Sequence, residues 1–304
     1  MQEFEESAAA IERPAAWWVG PAVFAAWALS EVVFWVLLGL IFCAIAFLAG
    51  CSSGAQSASA AEPNGGARRC ASPWLGQELS AGSQVELLVA AGDTIPAGRW
   101  PAYRAMAGAV AGCAGESSTV TLRPITADSL TELPVFAGAV PTQTGQNAIN
   151  PLRYRSDMRG FVVKTAAAVD KLPEIGKASG GSDPLGALAA AGQDFRTAPA
   201  ASQHVVVAIF NGWQQTRALN LFRYRSDPAG STEPALRSLR ASGALPDLSG
   251  TDVVIVGLTP GEKRMQTSDA QLAGLCRFWR AVVEAGHGTL RLCAAGLPGI
   301  DRNG

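Results

Sequence analysis

Val205-Val206-Val207-Ala208-Ile209-Phe210, closed by Asn211-Gly212, is the strongest strand signal in the chain. Its residues are mostly β-branched, and apolar side chains follow one another without polar alternation. Such a strand is covered on both faces, which is the mark of a parallel sheet. Further along, Val253-Val254-Ile255-Val256-Gly257-Leu258 has the same character, and Leu290 to Ala294 ends the series. Towards the N-terminus, Val85 to Ala90, closed by Gly92-Asp93, and Thr119 to Leu122 are shorter strands of the same kind. The stretch from there to about Asn150 reads as irregular.

Helical spacing fills the gaps between strands. Pro101 to Gly112 carries Tyr103, Met106 and Val110, and Arg159 to Leu172 carries Phe161, Val162, Ala166 and Val169. Ser182-Asp183-Pro184 opens another helix, with Ser182 or Asp183 as N-cap and Pro184 in the first turn. Thr232 to Ser242 is a fourth helix. Thr267 or Ser268 caps a last one, whose apolar face holds Leu272, Leu275, Cys276, Trp279, Val282 and Val283 up to Gly286. Strands alternating with amphipathic helices predict a doubly wound α/β fold: a mainly parallel sheet of about six strands with helices on both faces. Ligand loops in such sheets lie beyond the C-terminal strand ends. That draws attention to Asp93, the turn at residues 180–183, Asn211-Gly212 and Thr259-Pro260.

Composition bounds the function. Of 304 residues, 16% are charged and the formal net charge is -1, which speaks against a nucleic-acid binder with its basic footprint. A 48% hydrophobic content excludes a largely disordered chain. Two histidines are too few for a multi-histidine metal site. No phosphate loop, dinucleotide fingerprint, zinc-protease helix or nucleophile elbow is present. A triad of Ser182 with His287 can be drawn, but surface or capping histidines are the simpler reading of His204 and His287.

Much of the apolar excess lies near the N-terminus. Val32 to Gly50 is free of charge over nineteen residues, enough to span about 30 Å of hydrocarbon. Ala16 to Leu29 precedes it as an interfacial leader, and Trp17, Trp18, Trp27 and Trp35 suit headgroup-level anchoring. Leu48-Ala49-Gly50-Cys51 resembles a bacterial lipobox, in which Cys51 would be acylated. The leader is acidic (Glu3, Glu5, Glu6 and Glu12 against Arg13), unlike the basic start of a signal peptide. A signal peptide ending in lipidation and a plain signal anchor both stay open. The expected organisation is an acidic tail at 1–15, a transmembrane or signal segment at 16–50, a Ser/Ala/Gly-rich tether at 51–81 and an α/β domain at 82–300. The expected place is the cell membrane, single-pass or lipid-anchored, with the domain on the extracytoplasmic side, although Arg68 and Arg69 would favour a cytoplasmic flank. Four cysteines remain in the domain and its approach, an even number that suits export. The pairs expected are Cys276 with Cys293 and Cys70 with Cys113.

Three loop motifs occur in an order that resembles one family. Gly180-Gly181-Ser182-Asp183-Pro184-Leu185-Gly186-Ala187-Leu188 looks like the Gly-Gly-Thr-Asp turn and helix of bacterial von Willebrand factor A (VWA) domains. Val206 to Thr216 resembles their fourth strand and its loop. Leu87 to Thr94 sits where their first strand delivers an Asp-x-Ser-x-Ser metal loop. The resemblance covers roughly residues 82 to 297 and implies a VWA, Rossmann-like fold with a divalent cation, usually Mg²⁺, at an adhesion site of oxygen ligands. Asp93 matches the leading Asp, Ser182 the Thr, and Asp183 follows it. Ile95 and Ala97 stand where the serines belong, and Asn211 replaces an Asp. The resemblance therefore implies a degenerate site, with Asp93, Ser182 and Asp183 as the remaining metal ligands and Mg²⁺ bound weakly if at all.

One repeat stands apart: Arg153-Tyr154-Arg155-Ser156-Asp157 recurs as Arg223-Tyr224-Arg225-Ser226-Asp227, each with an Asn three residues before its first Arg. The pair reads either as Arg-Tyr patches for an anionic partner or as two edge or loop segments held by local Arg–Asp pairs. Together these features predict a membrane-anchored, non-enzymatic protein-binding module of the cell envelope. Its binding residues would be Asp93, Thr94, Ser182, Asp183, Asn211 and Trp213, the last either an exposed anchor or a ring packed under its own loop. The alternatives are a substrate-binding lipoprotein with a cleft between two α/β lobes and, less favoured, a hydrolase with a non-standard site.

Overall fold

The computed structural model describes residues 79–92, 95–197, 200–216, 219–258 and 268–297, all within the unit Gly66–Gly304. The tail, the apolar segment, most of the tether, Cys51 and Cys70 lie outside the described residues, as do Asp93, Thr94, Thr259, Pro260 and Thr267. Among the described residues no helix is long and apolar enough to cross a membrane.

The sheet has six strands: β1 (Gln84–Ala90), β2 (Thr119–Ile125), β3 (Phe136–Ala139), β4 (His204–Ile209), β5 (Thr251–Val256) and β6 (Thr289–Cys293). They lie in the order β3-β2-β1-β4-β5-β6, all parallel except β3, which runs antiparallel to β2. The four central strands are almost wholly buried, as the apolar runs of β4 and β5 require, and β1 and β2 bury Glu86, Thr121 and Arg123 with them. β3 falls in the stretch expected to be irregular. Its four residues, Phe-Ala-Gly-Ala, lie on an edge with only every second residue partly covered, so they carry no apolar run to read.

Helices cover both faces. On one side lie α1 (Trp100–Cys113), α2 (Pro151–Ala168) and α3 (Leu172–Lys177), packed on Leu87, Val89, Val205 and Val207. On the other lie α4 (Pro184–Thr197), α5 (Thr232–Ser242) and α6 (Asp269–Ala285), packed on Leu88, Val206, Ala208 and Ile255. Each strand thus sends alternate side chains into two separate cores, the period of two expected of a strand. α2 begins eight residues before the expected Arg159, because Asn150 caps it by accepting the Arg153 N–H at 3.1 Å and Pro151 fits its first turn. Ser268 caps α6 in a reciprocal capping box with Gln271.

The chain runs outward from β1 to β3, then returns to the middle and runs outward again from β4 to β6. The point of reversal lies between β1 and β4, and the crevice beyond their C-terminal ends is where such sheets place ligands.

The expected bridge between Cys276 on α6 and Cys293 on β6 is present, with Cα atoms 5.7 Å apart. Cys113, at the end of α1, is also disulfide-bonded.

Candidate functional site

The loops at the C-terminal strand ends are stitched to one another by hydrogen bonds. Asp183 donates its N–H to the Thr126 carbonyl at the end of β2, at 2.6 Å. Ser182 and Gln215 exchange backbone bonds at 3.3 and 2.8 Å, joining the approach to α4 with the loop after β4. Gln214 binds the same junction through its side chain. Its Nε2 donates to Asp183 Oδ1 at 2.8 Å and to Thr216 Oγ1 at 3.1 Å, while its Oε1 accepts the Leu185 N–H at 3.2 Å. Asp183 Oδ1 also accepts the Gly186 N–H at 3.0 Å, so Asp183 caps α4.

Asn211 and Trp213 are likewise engaged inside the fold. Asn211 Oδ1 accepts the Trp213 N–H at 3.1 Å, an Asx turn supported by Gly212 at φ +87°. The Gly212 carbonyl accepts the Trp279 Nε1–H from α6 at 2.8 Å. Trp213 is only 3% exposed and stacks on Phe222 with ring centroids 4.9 Å apart. The expectation of an exposed Trp213 anchor is therefore corrected: an indole has too much apolar surface to leave in water when Phe222 is beside it.

The exit of β1 is held from below by α3. A Cβ built on Gly176 would lie 1.3 Å from the Ala91 carbonyl oxygen, so only glycine lets α3 approach there. Ile95, half-buried, packs against both cores, and Ala97 is exposed in a 3-10 turn, Ala97–Arg99. Neither side chain has an oxygen to offer.

A divalent cation is the group the resemblance implies; of its expected ligands Asp93 lies outside the described residues, and Ser182 and Asp183 lie at the junction just described. Asp183 Oδ1 and Asn211 Oδ1 already accept protein N–H groups, and Ile95 and Ala97 supply nothing. Among the described residues no group of three or more His, Cys, Asp or Glu side chains converges on a metal position. His287 precedes β6 and so lies at the N-terminal ends of the strands, away from Ser182, which excludes the triad drawn between them. His204, the first residue of β4, stacks on Phe195 at 4.6 Å.

Gln214, Thr126 and Gln215 carry no sequence signal that singles them out. A glutamine becomes recognisable as a clamp only when the carboxylate and amide it bridges are brought to it. The loop rim that remains accessible includes Ala97, Gly98, Ala127, Asp128 and Gln215. Beside it a groove of about 530 Å³ runs between α4 and α5, lined by Leu130, Leu185, Leu239, Asp128, Asp183 and Asp247 among others.

The two Arg-Tyr-Arg segments do not form one surface. The first is the opening of α2, where Tyr154 is 9% exposed and its hydroxyl is hydrogen-bonded to Glu116; it is neither an edge nor a loop. The second begins in a 3-10 turn, Leu221–Tyr224, and continues through Asp227, with Tyr224 41% exposed. Their neighbours Phe161 and Phe222 pack into the cores on opposite faces of the sheet. What the repeats share is the asparagine. Asn150 and Asn220 each cap the helical turn after them, which accounts for the common spacing.

A second polar cluster lies at the N-terminal half of β1. Glu86, 1% exposed, shares a face with Thr121 and Arg123 of β2, and Arg123 bonds Asp194 of α4 and the Glu132 carbonyl. Burial, reinforced by the Asp194 carboxylate, pushes the Glu86 carboxyl up to about 7, against the pull of Arg123 and Thr121.

No protein-family model matches the chain, and no curated protein matches it. Solved structures that it resembles include a von Willebrand factor type A protein from Catenulispora acidiphila, at 14% identity and TM-score 0.39 over 70% of this chain and 39% of that one. The pilus adhesin SpaC of Lactobacillus rhamnosus GG in its open conformation gives 10% identity and TM-score 0.42 over 74% and 29%. The human COPII-coat protein Sec24c gives 11% and 0.35 over 72% and 30%. The chain spans less than half the length of each.

Proposed function

We propose that this chain is a membrane-anchored, VWA-like protein-binding module of the cell envelope, without catalytic activity and independent of a resident metal. The hydrogen-bonded junction of Asp183, Gln214 and Ser182 carries this reading. It holds the strand-end loops in one arrangement and engages Asp183 Oδ1 with protein N–H groups. A rim preorganised in this way suits recognition of a partner surface, because little ordering remains to be done on binding. Anchoring is through residues 16–50 or a lipid on Cys51. The module acts on the extracytoplasmic side, and the rim around Gln215 and Asp128 meets the partner.

Two measurements on the full-length protein test this. Calorimetric titration with Mg²⁺ and Mn²⁺ should give no micromolar site; one abolished by Asp93→Ala would overturn metal independence. A photo-crosslinking residue at Gln215, exposed on the rim, should give a discrete protein adduct in cells, and one at exposed Arg277 on α6 should not. Equal adducts from both positions would remove the rim as the binding surface. A metabolite that stabilises the fold in a thermal-shift screen would favour the solute-binding alternative.

A further inference from the structure

Three of the six large apolar side chains exposed among the described residues lie together on or next to α2: Ile149 (78%), Leu152 (74%) and Val163 (55%). At 3.6 residues per turn, Leu152, Arg159 and Val163 point the same way to within about 40°, with Arg155 on their flank. The opposite side of α2 buries Tyr154, Phe161, Thr165 and Ala168 in the domain. Among the described residues the outer side is therefore a second face without a packing partner, apolar and basic together. Arg153, Arg155, Arg159 and Lys164 outnumber Asp157, which pairs with Arg153 at 3.9 Å. Arg155 and Arg159 make no ion pair among the described residues. Leucine and valine flanked by arginines is the composition of a helix lying at the headgroup level of a charged bilayer.

The route of the chain points to the same occupant. Gly82, near the start of the described domain, donates its N–H to the Glu116 carbonyl at 2.8 Å. The Glu116 side chain is in turn hydrogen-bonded to the Tyr154 hydroxyl in the first turn of α2. The start of the described domain is thus linked through Glu116 to the buried side of the first turn of α2. Residues 51–78 separate the end of the apolar segment from Leu79. That stretch is Ser-, Ala- and Gly-rich in sequence, and with the proposed anchor it would keep the face near a bilayer, where a weak attraction is enough.

We propose that Ile149 and the outer face of α2, with Leu152, Arg155, Arg159 and Val163, dock on an anionic lipid surface. This lays the sheet face covered by α1, α2 and α3 towards the membrane, with the opposite face, covered by α4, α5 and α6, turned away from it. The inference rests on the proposed membrane anchor.

Full-length protein reconstituted in vesicles carrying a photoactivatable phosphatidylcholine, with or without phosphatidylglycerol, tests it, the labelled peptides being mapped by mass spectrometry. Labelling at residues 149–163 is expected with phosphatidylglycerol. It should fall fivefold or more in phosphatidylcholine alone, since one basic residue near an anionic surface is worth about fivefold. The same fall is expected for Arg155→Glu with Arg159→Glu, while Arg155→Lys with Arg159→Lys should retain the label and controls for folding. Label confined to residues before Leu79 in both lipids would overturn the docking and leave the anchor standing. Absence of label anywhere would remove the anchor and the docking with it. Equal label at residues 149–163 in the two lipids would remove the anionic surface as the occupant of the face.

Discussion

Gln214 Nε2 donates to Asp183 Oδ1 at 2.8 Å while the other end of the same amide accepts the Leu185 N–H at 3.2 Å. The side chain bridges the cap of α4 and its first turn from a loop that comes after β4. Gln214 is 1% exposed, so its own amide has little water to fall back on.

Gln214→Leu keeps the volume and removes these two bonds together with the one to Thr216 Oγ1. It should lower stability by about 1–3 kcal/mol, the cost of leaving a buried donor and acceptor unmatched. Denaturant unfolding checks this, and a change below about 0.5 kcal/mol would show that the junction closes without the clamp.

Gly176→Ala should destabilise by about 3 kcal/mol or more, because the new methyl would overlap the Ala91 carbonyl and drive α3 off the exit of β1. Gly180→Ala, with nothing within 4 Å of its Cβ, should stay within about 0.5 kcal/mol. Thermal melting of the two variants side by side distinguishes a local contact from a general intolerance of alanine in this segment.

Glu86 makes stability depend on pH. Its carboxyl rises from 4.5 to about 7 on folding, so the folded state holds a proton that the unfolded chain has lost in that window. Its contribution is complete below about pH 4.5, is lost as pH rises to about 7, and is roughly 3 kcal/mol over the interval. Glu86→Gln should remove that slope, being more stable than the parent at pH 8 and similar at pH 4.5. Parallel slopes for the two proteins in urea titrations would show that Glu86 ionises without penalty.

Cys276 and Cys293 are separated by 17 residues, and their bridge ties the edge strand β6 to α6. Loop-closure entropy for such a ring is worth about 3 kcal/mol. Cys276→Ser with Cys293→Ser should lower Tm by roughly 6–12 °C, with the sheet retained in circular dichroism. An unchanged Tm would mean that β6 is held by its ladder to β5 alone.

Both the central strands and the helix caps were legible in the sequence, because each is a local property. Val205 to Phe210 has no polar residue to place outward, and Ser182-Asp183-Pro184 carries its cap and first turn in three consecutive positions. β3 was not legible: Phe136 to Ala139 gains its strand character only from the exposed edge of β2. The candidate site was half legible. The turn at 180–183 does meet the loop after β4, through Gln214 and Gln215 instead of residues 211–213, and Asp183 does cap α4. The burial of Trp213 and the separation of the two Arg-Tyr-Arg segments were not. Burial of an aromatic ring depends on what faces it, here Phe222, and identical pentapeptides on opposite faces of a sheet share no surface.

The amino-acid sequence by itself thus determined a parallel α/β domain, its helix boundaries near Asp183 and Ser268, and the pairing of Cys276 with Cys293. The physical reason is that hydrophobic period, capping and turn chemistry act over a few residues. Only the tertiary structure decided that Gln214 clamps Asp183, that Glu86 is sealed beside Arg123 and Asp194, and that α2 keeps a basic, apolar face unpartnered. The clamp joins residues 31 positions apart in the chain, and the Arg123–Asp194 pair joins residues 71 apart. The open face of α2 depends on what is missing opposite a helix. No local pattern encodes such relationships.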